Sequence, residues 1–237
     1  MLITTRYIII GLWFLLGGLP VMLICLLRPF SVKNINQVLS PFTRVIVKIL
    51  GLKIIIRGPQ NFNHRPCIFI SNHQNYFDSL VGFAFGPPMT VSLGKKSIKF
   101  IPFIGQLYWL SGNILIDRSN RNKALRTMDY VAQVIRDRKL SLWIMPEGTR
   151  SRGRGLLPFK KGAFHTALMA QVPLVPVCYS PMVAQFNFNR WHSGTIIYEA
   201  LAPISVQGLD NSIDNVIRLR DQAHELMKKT IERLGQE

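Results

Sequence analysis

The feature that most limits the fold of this chain is an uninterrupted apolar run near the N-terminus. Residues 7–27, YIIIGLWFLLGGLPVMLICLL, contain no charged side chain, and about 20 apolar residues in a helix cross the hydrocarbon core of a bilayer. A secretory signal fits less well, because the run is long and RPFSVK follows it in place of a cleavage site. Gly17, Gly18 and Pro20 are expected to kink or break the helix, so the run either spans the membrane or dips in and returns.

The charge of the rest of the chain indicates which side of the membrane it occupies. The chain has 29 Lys and Arg against 12 Asp and Glu, a net charge of +17, which requires an anionic membrane, substrate or nucleic acid as partner. Six basic residues follow the apolar run before residue 58: Arg28, Lys33, Arg44, Lys48, Lys53 and Arg57. By the positive-inside rule they predict a protein of the cytoplasmic (inner) membrane whose remaining residues face the cytoplasm.

A second helix is predicted at 34–50, where apolar residues recur at helical spacing between Arg44 and Lys48. Ser40-Pro41 either caps or bends it. Such a basic amphipathic helix lies on the membrane surface or packs on the core, and the sequence leaves both open. We therefore divide the chain into a membrane-associated segment, 1–50, and one folded domain, 51–237.

Strands and helices alternate along that domain. Strands are predicted at 52–57, 67–71, 90–93, 113–117, 141–145, 174–180 and 195–201, and helices at 77–85, 98–110 (interrupted at Pro102), 120–138, 162–171 and 210–235. This order predicts an α/β fold with a mainly parallel central sheet flanked by helices. Cys25, Cys67 and Cys178 show no metal or disulfide spacing and are expected to be buried apolar residues in a reduced compartment.

Three polar stretches follow predicted strands. NHQNYFD follows 67–71, DRSNR overlaps and follows 113–117, and PEGTRSRGRG follows 141–145. In parallel sheets, sites form in the loops at the carboxyl ends of strands, so we expect these stretches to converge.

The first stretch holds His73 and Asp78, and Asp78 is the first acidic residue in the chain. A carboxylate on one ring nitrogen fixes the histidine tautomer and stabilises the imidazolium, while the other nitrogen accepts a proton. The spacing suits a loop histidine followed by an aspartate in the first turn of a helix. The sequence has no GxSxG elbow, so the economical nucleophile is a substrate alcohol deprotonated by His73. Taken alone, however, the pair fits a structural helix cap better.

Together the stretches carry a family resemblance. NHQNYFD resembles the NHxxxxD motif of the glycerolipid acyltransferases, and GNILIDR, PEGTRS and VPLVPV resemble their second, third and fourth motifs in the same order. GKKS, IPFIGQLYWLSGN and RSRGRGLLPFKKGAFH are similar to segments of the bacterial 1-acylglycerol-3-phosphate (lysophosphatidic acid) acyltransferases. The resemblance covers essentially the whole chain. Met145, where the family often has Phe, is a small departure.

The resemblance implies a role for each matching residue. His73 would be the general base and Asp78 would orient it. The residues matching motifs assigned to the glycerol-phosphate end of the acceptor are Arg118, Glu147, Gly148, Thr149 and Arg150. Val172–Val177 would belong to the apolar acyl site or its packing. For Arg150 the chemistry agrees, because guanidinium groups bind phosphate by paired, charge-assisted hydrogen bonds. Arg152 and Arg154 fit a basic loop on anionic headgroups equally well, and Lys95 and Lys96 fit either a phosphate contact or a solvated turn.

The implied reaction transfers an acyl chain from acyl-CoA or acyl carrier protein to the sn-2 hydroxyl of 1-acyl-glycerol 3-phosphate, giving phosphatidic acid for phospholipid biosynthesis. It needs no metal or bound cofactor and forms no acyl-enzyme. The oxyanion is expected to meet backbone N–H groups at the helix start after His73. Partners would be lysophosphatidic acid, the acyl donor and anionic membrane lipid, without nucleic acid. The alternatives are an acyltransferase for another lysolipid, such as lyso-ornithine lipid, and a non-enzymatic basic protein that binds anionic lipid or nucleic acid.

Overall fold

The described part of the protein folds around one seven-stranded sheet. The structure is a computed structural model that describes residues 1–117, 121–182 and 186–237, with no side-chain description for 121–125. The strands are β1 (Leu52–Arg57), β2 (Ile68–Ser71), β3 (Thr90–Lys95), β4 (Ile114–Ile116), β5 (Ser141–Ile144), β6 (Leu174–Tyr179) and β7 (Gly194–Ala200). Their order is β1-β7-β6-β2-β5-β3-β4, and each pair is parallel except β6–β7. The predicted mainly parallel α/β sheet is therefore confirmed.

Helices cover both faces of the sheet. They are α1 (Leu2–Leu27), α2 (Ser40–Ile49), α3 (Tyr76–Phe85), α4 (Ile104–Leu110), α5 (Arg121–Arg138), α6 (Gly162–Ala170) and α7 (Ile213–Leu234). Side chains of β2 alternate between the faces: Ile68 and Ile70 pack in a core with α5, α6 and α7, while Phe69 packs in a second core with α1 to α4. The three-layer arrangement leaves the carboxyl ends of β2 and β5 side by side, because these two strands pair in parallel at the centre of the sheet.

The apolar run forms α1, which continues unbroken through Pro20, so the expected break does not occur. Among the described residues, α1 is the helix long and apolar enough to cross a membrane. Most of its surface is exposed, including Leu15, Leu16, Leu19 and Leu23. This exposed apolar surface is compatible with membrane association.

The residues predicted as the second helix are helical, with a π-helical turn over Ile35–Leu39 that leads into α2. The wide turn ends two residues before Pro41, which has no N–H to continue the regular bonding pattern. Phe42, Ile46 and Val47 are buried in the core between α2 and the sheet. Of the two placements left open by the sequence, the structure shows this helix packed on the core.

Two smaller expectations are also confirmed. The helix predicted at 98–110 is interrupted at Pro102: a 3₁₀ helix (Lys96–Phe100) precedes α4, and Phe103 between them has a φ of 65°. The three cysteines are free and buried. Burial raises the pKa of the Cys67 thiol to about 12, so this thiol is inert near neutral pH.

Candidate active site

The predicted histidine–aspartate pair forms at the carboxyl end of β2. His73 lies in the loop between β2 and α3, and Asp78 lies in the first turn of α3, as the spacing predicted. His73 Nδ1 donates to Asp78 Oδ2 at 2.6 Å, and the Asp78 side chain is fully buried. The carboxylate therefore fixes the tautomer, and Nε2 is the ring nitrogen left for a reacting group.

Asp78 also caps α3. Its Oδ2 accepts the backbone N–H of Gln74 at 2.6 Å, its Oδ1 accepts that of Asn75 at 2.9 Å, and Asn75 completes a capping box. The structural interpretation of Asp78 and the catalytic one therefore do not exclude each other. One buried carboxylate sets both the start of the helix and the orientation of the imidazole.

Glu147 connects the loop after β5 to His73. Its Oε1 accepts the backbone N–H of His73 at 2.6 Å, and its Oε2 accepts that of Leu157 at 3.0 Å. The side chain is buried, and the loss of solvation raises the pKa of its carboxyl group. The two hydrogen bonds lower this pKa, but desolvation is the larger effect, and the pKa is about 7. Both oxygens thus face backbone amides, a use that the motif alone did not suggest for this residue.

Two backbone hydrogen bonds join the same loops. Ser151 N donates to His73 O at 2.8 Å, and Arg152 N donates to Gln74 O at 3.1 Å. They bring Arg150 over the ring of Tyr76, with the guanidinium carbon 3.9 Å from the ring centroid. The predicted convergence of the first and third polar stretches is therefore present. The third stretch contributes Arg150 to the edge of the site.

Gly148 and Thr149 lie between Glu147 and Arg150. Gly148 has a φ of +71°, which favours glycine, and a Cβ there would come within 2.9 Å of Lys160 Cε and Nζ. Lys160 is thus a cation beside Gly148 that sequence reasoning did not select, although it lies in the segment RSRGRGLLPFKKGAFH. Thr149 is exposed at the same edge.

A cavity of about 380 Å³ opens from this pair of loops toward α3, β3 and α4. Its lining includes His73, Asp78 and Arg150, and Lys95 also contributes to its wall. Other lining residues come from α3, β3 and the segments around α4: Gly82, Phe83, Ser92, Ile98, Tyr108 and Asn113. The arrangement places a general base, His73, and two cations, Arg150 and Lys95, in the wall of one mixed polar and apolar cavity.

The prediction that backbone N–H groups at the start of α3 bind the oxyanion is wrong for three of the residues after His73. The N–H groups of Gln74 and Asn75 donate to Asp78, and that of Phe77 donates to Asn75 Oδ1 at 2.7 Å. The capping box uses the donors that a free helix start would have offered.

Two other parts of the predicted site are Arg118 and the stretch Val172–Val177. Arg118 lies outside the described residues. The stretch Val172–Val177 leads into β6, where Val175 and Val177 are fully buried beside β2. Of the described residues that line the cavity, none belongs to this stretch. Its contribution is to the packing beneath the site, one of the two roles that the resemblance implied.

Comparison with known proteins decides the family. The profile of the family described as Acyltransferase matches residues 53–180, more than half of the chain. The chain belongs to the acyltransferase family. This acyltransferase is 44% identical over 214 residues to the 1-acyl-sn-glycerol-3-phosphate acyltransferase of Escherichia coli (strain K12), covering 90% of this chain and 86% of the relative. It is 46% identical over 205 residues to the protein of the same name from Haemophilus influenzae, covering 86% and 84%.

The relationship extends to human proteins and to a solved structure. The acyltransferase is 34% identical over 213 residues to human 1-acyl-sn-glycerol-3-phosphate acyltransferase beta, covering 88% of this chain and 76% of the relative. The crystal structure of the 1-acyl-sn-glycerophosphate (LPA) acyltransferase from Thermotoga maritima superposes with a TM-score of 0.74 at 22% identity, covering 98% of this chain and 95% of that chain. At that identity the match confirms the fold. The resemblance seen in the sequence is thus confirmed, and the protein is an acyltransferase enzyme.

Proposed function

We propose that this acyltransferase transfers an acyl group from a thioester, carried by CoA or acyl carrier protein, to the sn-2 hydroxyl of 1-acyl-glycerol 3-phosphate. The observation that carries the proposal is the geometry of His73, whose ring is held by Asp78 in the wall of a cavity that Arg150 and Lys95 also line. The names of the relatives, which match this chain over most of its length, support the acceptor.

The proposed reaction proceeds by direct attack. His73 Nε2 takes the proton of the sn-2 hydroxyl as the oxygen bonds to the thioester carbonyl carbon, and Asp78 stabilises the imidazolium. The tetrahedral intermediate expels the thiolate, which takes the proton back from His73, giving phosphatidic acid and free thiol. No metal, bound cofactor or acyl-enzyme takes part in these steps. Trapping a covalent acyl adduct from labelled acyl-CoA would contradict this mechanism.

Arg150 is the residue we assign to the acceptor phosphate. Arg150 lines the same cavity as His73, and its buried Nε has no acceptor among the described residues. A phosphate oxygen would satisfy that donor by a charge-assisted hydrogen bond. Gly148 and Thr149 border the same cavity and complete the proposed acceptor edge. Glu147 would act on the acceptor indirectly, by fixing the His73 backbone.

We further propose that α1 lies in the cytoplasmic leaflet of the inner membrane rather than across it. Near its first turns, buried Arg6 donates to Leu50 O and Trp191 O, both at 2.8 Å. Just past its other end, Phe30 N donates to Leu110 O at 2.7 Å. Both ends of the helix therefore attach to one folded body, and the exposed leucines between them would enter the headgroup and acyl boundary.

Thiol release tests the reaction. The purified protein in mixed micelles would be given long-chain acyl-CoA or acyl carrier protein thioester, with and without 1-acyl-glycerol 3-phosphate. We expect thiol release that depends on the acceptor. The His73→Ala variant, shown to be folded, should release thiol about 10²–10⁴-fold more slowly. Equal release by both proteins would remove His73 from the mechanism. Preference for lyso-ornithine lipid in competition would reassign the acceptor.

Single cysteines test the membrane arrangement. Tyr7→Cys and Arg28→Cys mark the two ends of α1, both at exposed positions, whereas the natural cysteines are buried. If α1 lies in the inner leaflet, an impermeant thiol reagent labels both positions only from the cytoplasmic side. Labelling of the two ends from opposite sides would show that the helix spans the membrane.

A further inference from the structure

Tyr76 is an exposed aromatic residue whose contacts are not explained by packing. It is the first residue of α3, and 73% of its surface is exposed. Its neighbours in sequence have structural roles: Asn75 caps the helix, and Phe77 packs on the rings of Phe186 and Phe188. The prominent partner of the Tyr76 ring is the guanidinium of Arg150, 3.9 Å from the ring centroid. That distance is well inside the range of about 6 Å for cation–π contacts.

The backbone holds both partners of this contact in place. The capping box fixes the start of α3 and hence the base of the Tyr76 side chain. The hydrogen bonds from Ser151 N to His73 O and from Arg152 N to Gln74 O tie the chain after Arg150 to the chain before Tyr76. The backbone segments that carry Tyr76 and Arg150 are therefore already fixed relative to each other. Forming the stack costs little additional conformational entropy.

At 3.9 Å from the ring centroid the guanidinium carbon is too close for an edge-on approach, so the contact uses the face of the guanidinium and leaves its edge available. Guanidinium N–H donors lie in the plane of the group, so a ring on one face does not compete for them. Among the described residues, no carboxylate lies within 4.0 Å of Arg150. Its buried Nε has no acceptor in the same part of the chain. A carboxylate partner would have consumed these donors and neutralised the charge, whereas the aromatic ring does neither.

We propose that Tyr76 is a positioning residue for the acceptor phosphate: its ring holds the Arg150 guanidinium flat, with the in-plane donors directed to the ligand. This inference rests on the proposed function, because it takes Arg150 to be the phosphate-binding group. It assigns to Tyr76 an effect on acceptor binding and none on proton transfer at His73. The property that matters is the aromatic face, not the phenol hydroxyl and not apolar bulk.

The first experiment compares Tyr76→Phe, Tyr76→Leu and the wild type by steady-state kinetics in mixed micelles. Tyr76→Phe keeps the ring and should behave as the wild type. Tyr76→Leu keeps apolar bulk without a π face, and it should raise the KM for 1-acyl-glycerol 3-phosphate by about three- to tenfold, with kcat and the donor KM nearly unchanged. Tyr130→Leu, at an exposed tyrosine of α5, is the matched control and should change none of these values.

The second experiment combines Tyr76→Leu with Arg150→Ala. If the ring acts through the guanidinium, Arg150→Ala raises the acceptor KM and Tyr76→Leu adds no further increase in that background. If the two substitutions raise the acceptor KM independently, so that their effects multiply in the double variant, the inference is overturned. It is also overturned if Tyr76→Leu leaves the acceptor KM at the wild-type value, or raises the donor KM together with the acceptor KM. An Arg150→Ala enzyme with unchanged acceptor KM would instead refute the phosphate assignment under the proposed function, and Tyr76 with it.

Discussion

The Glu147 carboxylate accepts the backbone N–H of His73 at 2.6 Å, across 74 positions of the sequence. Its other oxygen accepts the N–H of Leu157 at 3.0 Å, so one buried side chain joins the loop of the base to both ends of the loop after β5. Together with Asp78, Glu147 fixes His73 from two directions: Asp78 orients the ring and Glu147 anchors the backbone. Precise placement of a general base requires both kinds of restraint.

Ionisation of Glu147 should make the protein less stable as pH rises. Burial raises the pKa of its carboxyl group from 4.5 to about 7, so between these pH values the folded state holds a proton that the unfolded chain has released. The free energy of unfolding contributed by Glu147 therefore falls across that window, by at most about 1.4 kcal/mol per pH unit, and is constant above it.

The Glu147→Gln variant isolates this effect, because its amide does not titrate. We expect the thermal midpoint of the wild type minus that of Glu147→Gln, measured in detergent micelles, to decrease from pH 4.5 to pH 7. A difference that stays level would show that the folded carboxyl group has its ordinary pKa, and one that increases would show a lowered pKa; either result contradicts the prediction.

Asp78→Asn should abolish most activity and also weaken α3. Asp78 accepts hydrogen bonds from His73 Nδ1, Gln74 N and Asn75 N, and an amide has only one acceptor oxygen for these donors. We expect kcat to fall by about 10²–10⁴-fold and the free energy of unfolding to fall by about 1–3 kcal/mol. Acceptor-dependent thiol release and thermal unfolding measure the two effects. Asp214→Asn changes an exposed first-turn carboxylate of α7 and is the matched control; equal losses in both variants would argue against a special role for Asp78.

Replacing Arg6 should release the start of α1 from the domain. The buried guanidinium donates to the carbonyl oxygens of Leu50, Phe188 and Trp191. Arg6→Leu leaves these acceptors without their charged donor, and we expect it to lower the free energy of unfolding by about 2–4 kcal/mol. Thermal unfolding in micelles and trypsin cleavage at exposed Arg190 report the change. The control is Arg28→Leu, at an exposed arginine past the other end of α1. If Arg28→Leu lowers the free energy of unfolding by a comparable amount, the buried contacts of Arg6 contribute no special stability.

Two glycines of α1 should respond differently to alanine. A Cβ on Gly18 would come within 2.3 Å of the Phe103 ring, whereas one on Gly11 would meet nothing within 4 Å. Gly18→Ala should push α1 away from α4 and lower the thermal midpoint. Gly11→Ala should leave the midpoint unchanged or raise it, since alanine favours the helix by up to about 1 kcal/mol. Matching shifts for the two variants would contradict the close contact with Phe103.

Much of the site was predictable because its signals are local. Each strand was identified from a short apolar run, and parallel pairing places the loops after β2 and β5 at one edge of the sheet. His73 and Asp78 are five positions apart, so a loop leading into a helix already brings their side chains within reach. The amides at the start of α3 were misjudged because the sequence does not show that the capping box uses them.

The sequence by itself determined the α/β order of elements, the apolar helix and the histidine–aspartate pair, since each follows from composition, periodicity or short spacing. The tertiary structure alone decided that Glu147 holds the His73 backbone, that Tyr76 lies under Arg150 and that α1 lies along the domain, anchored by Arg6. These contacts join segments tens of residues or more apart in sequence. Their partners are selected by how buried polar groups are satisfied once the core has packed, and no local pattern encodes that choice.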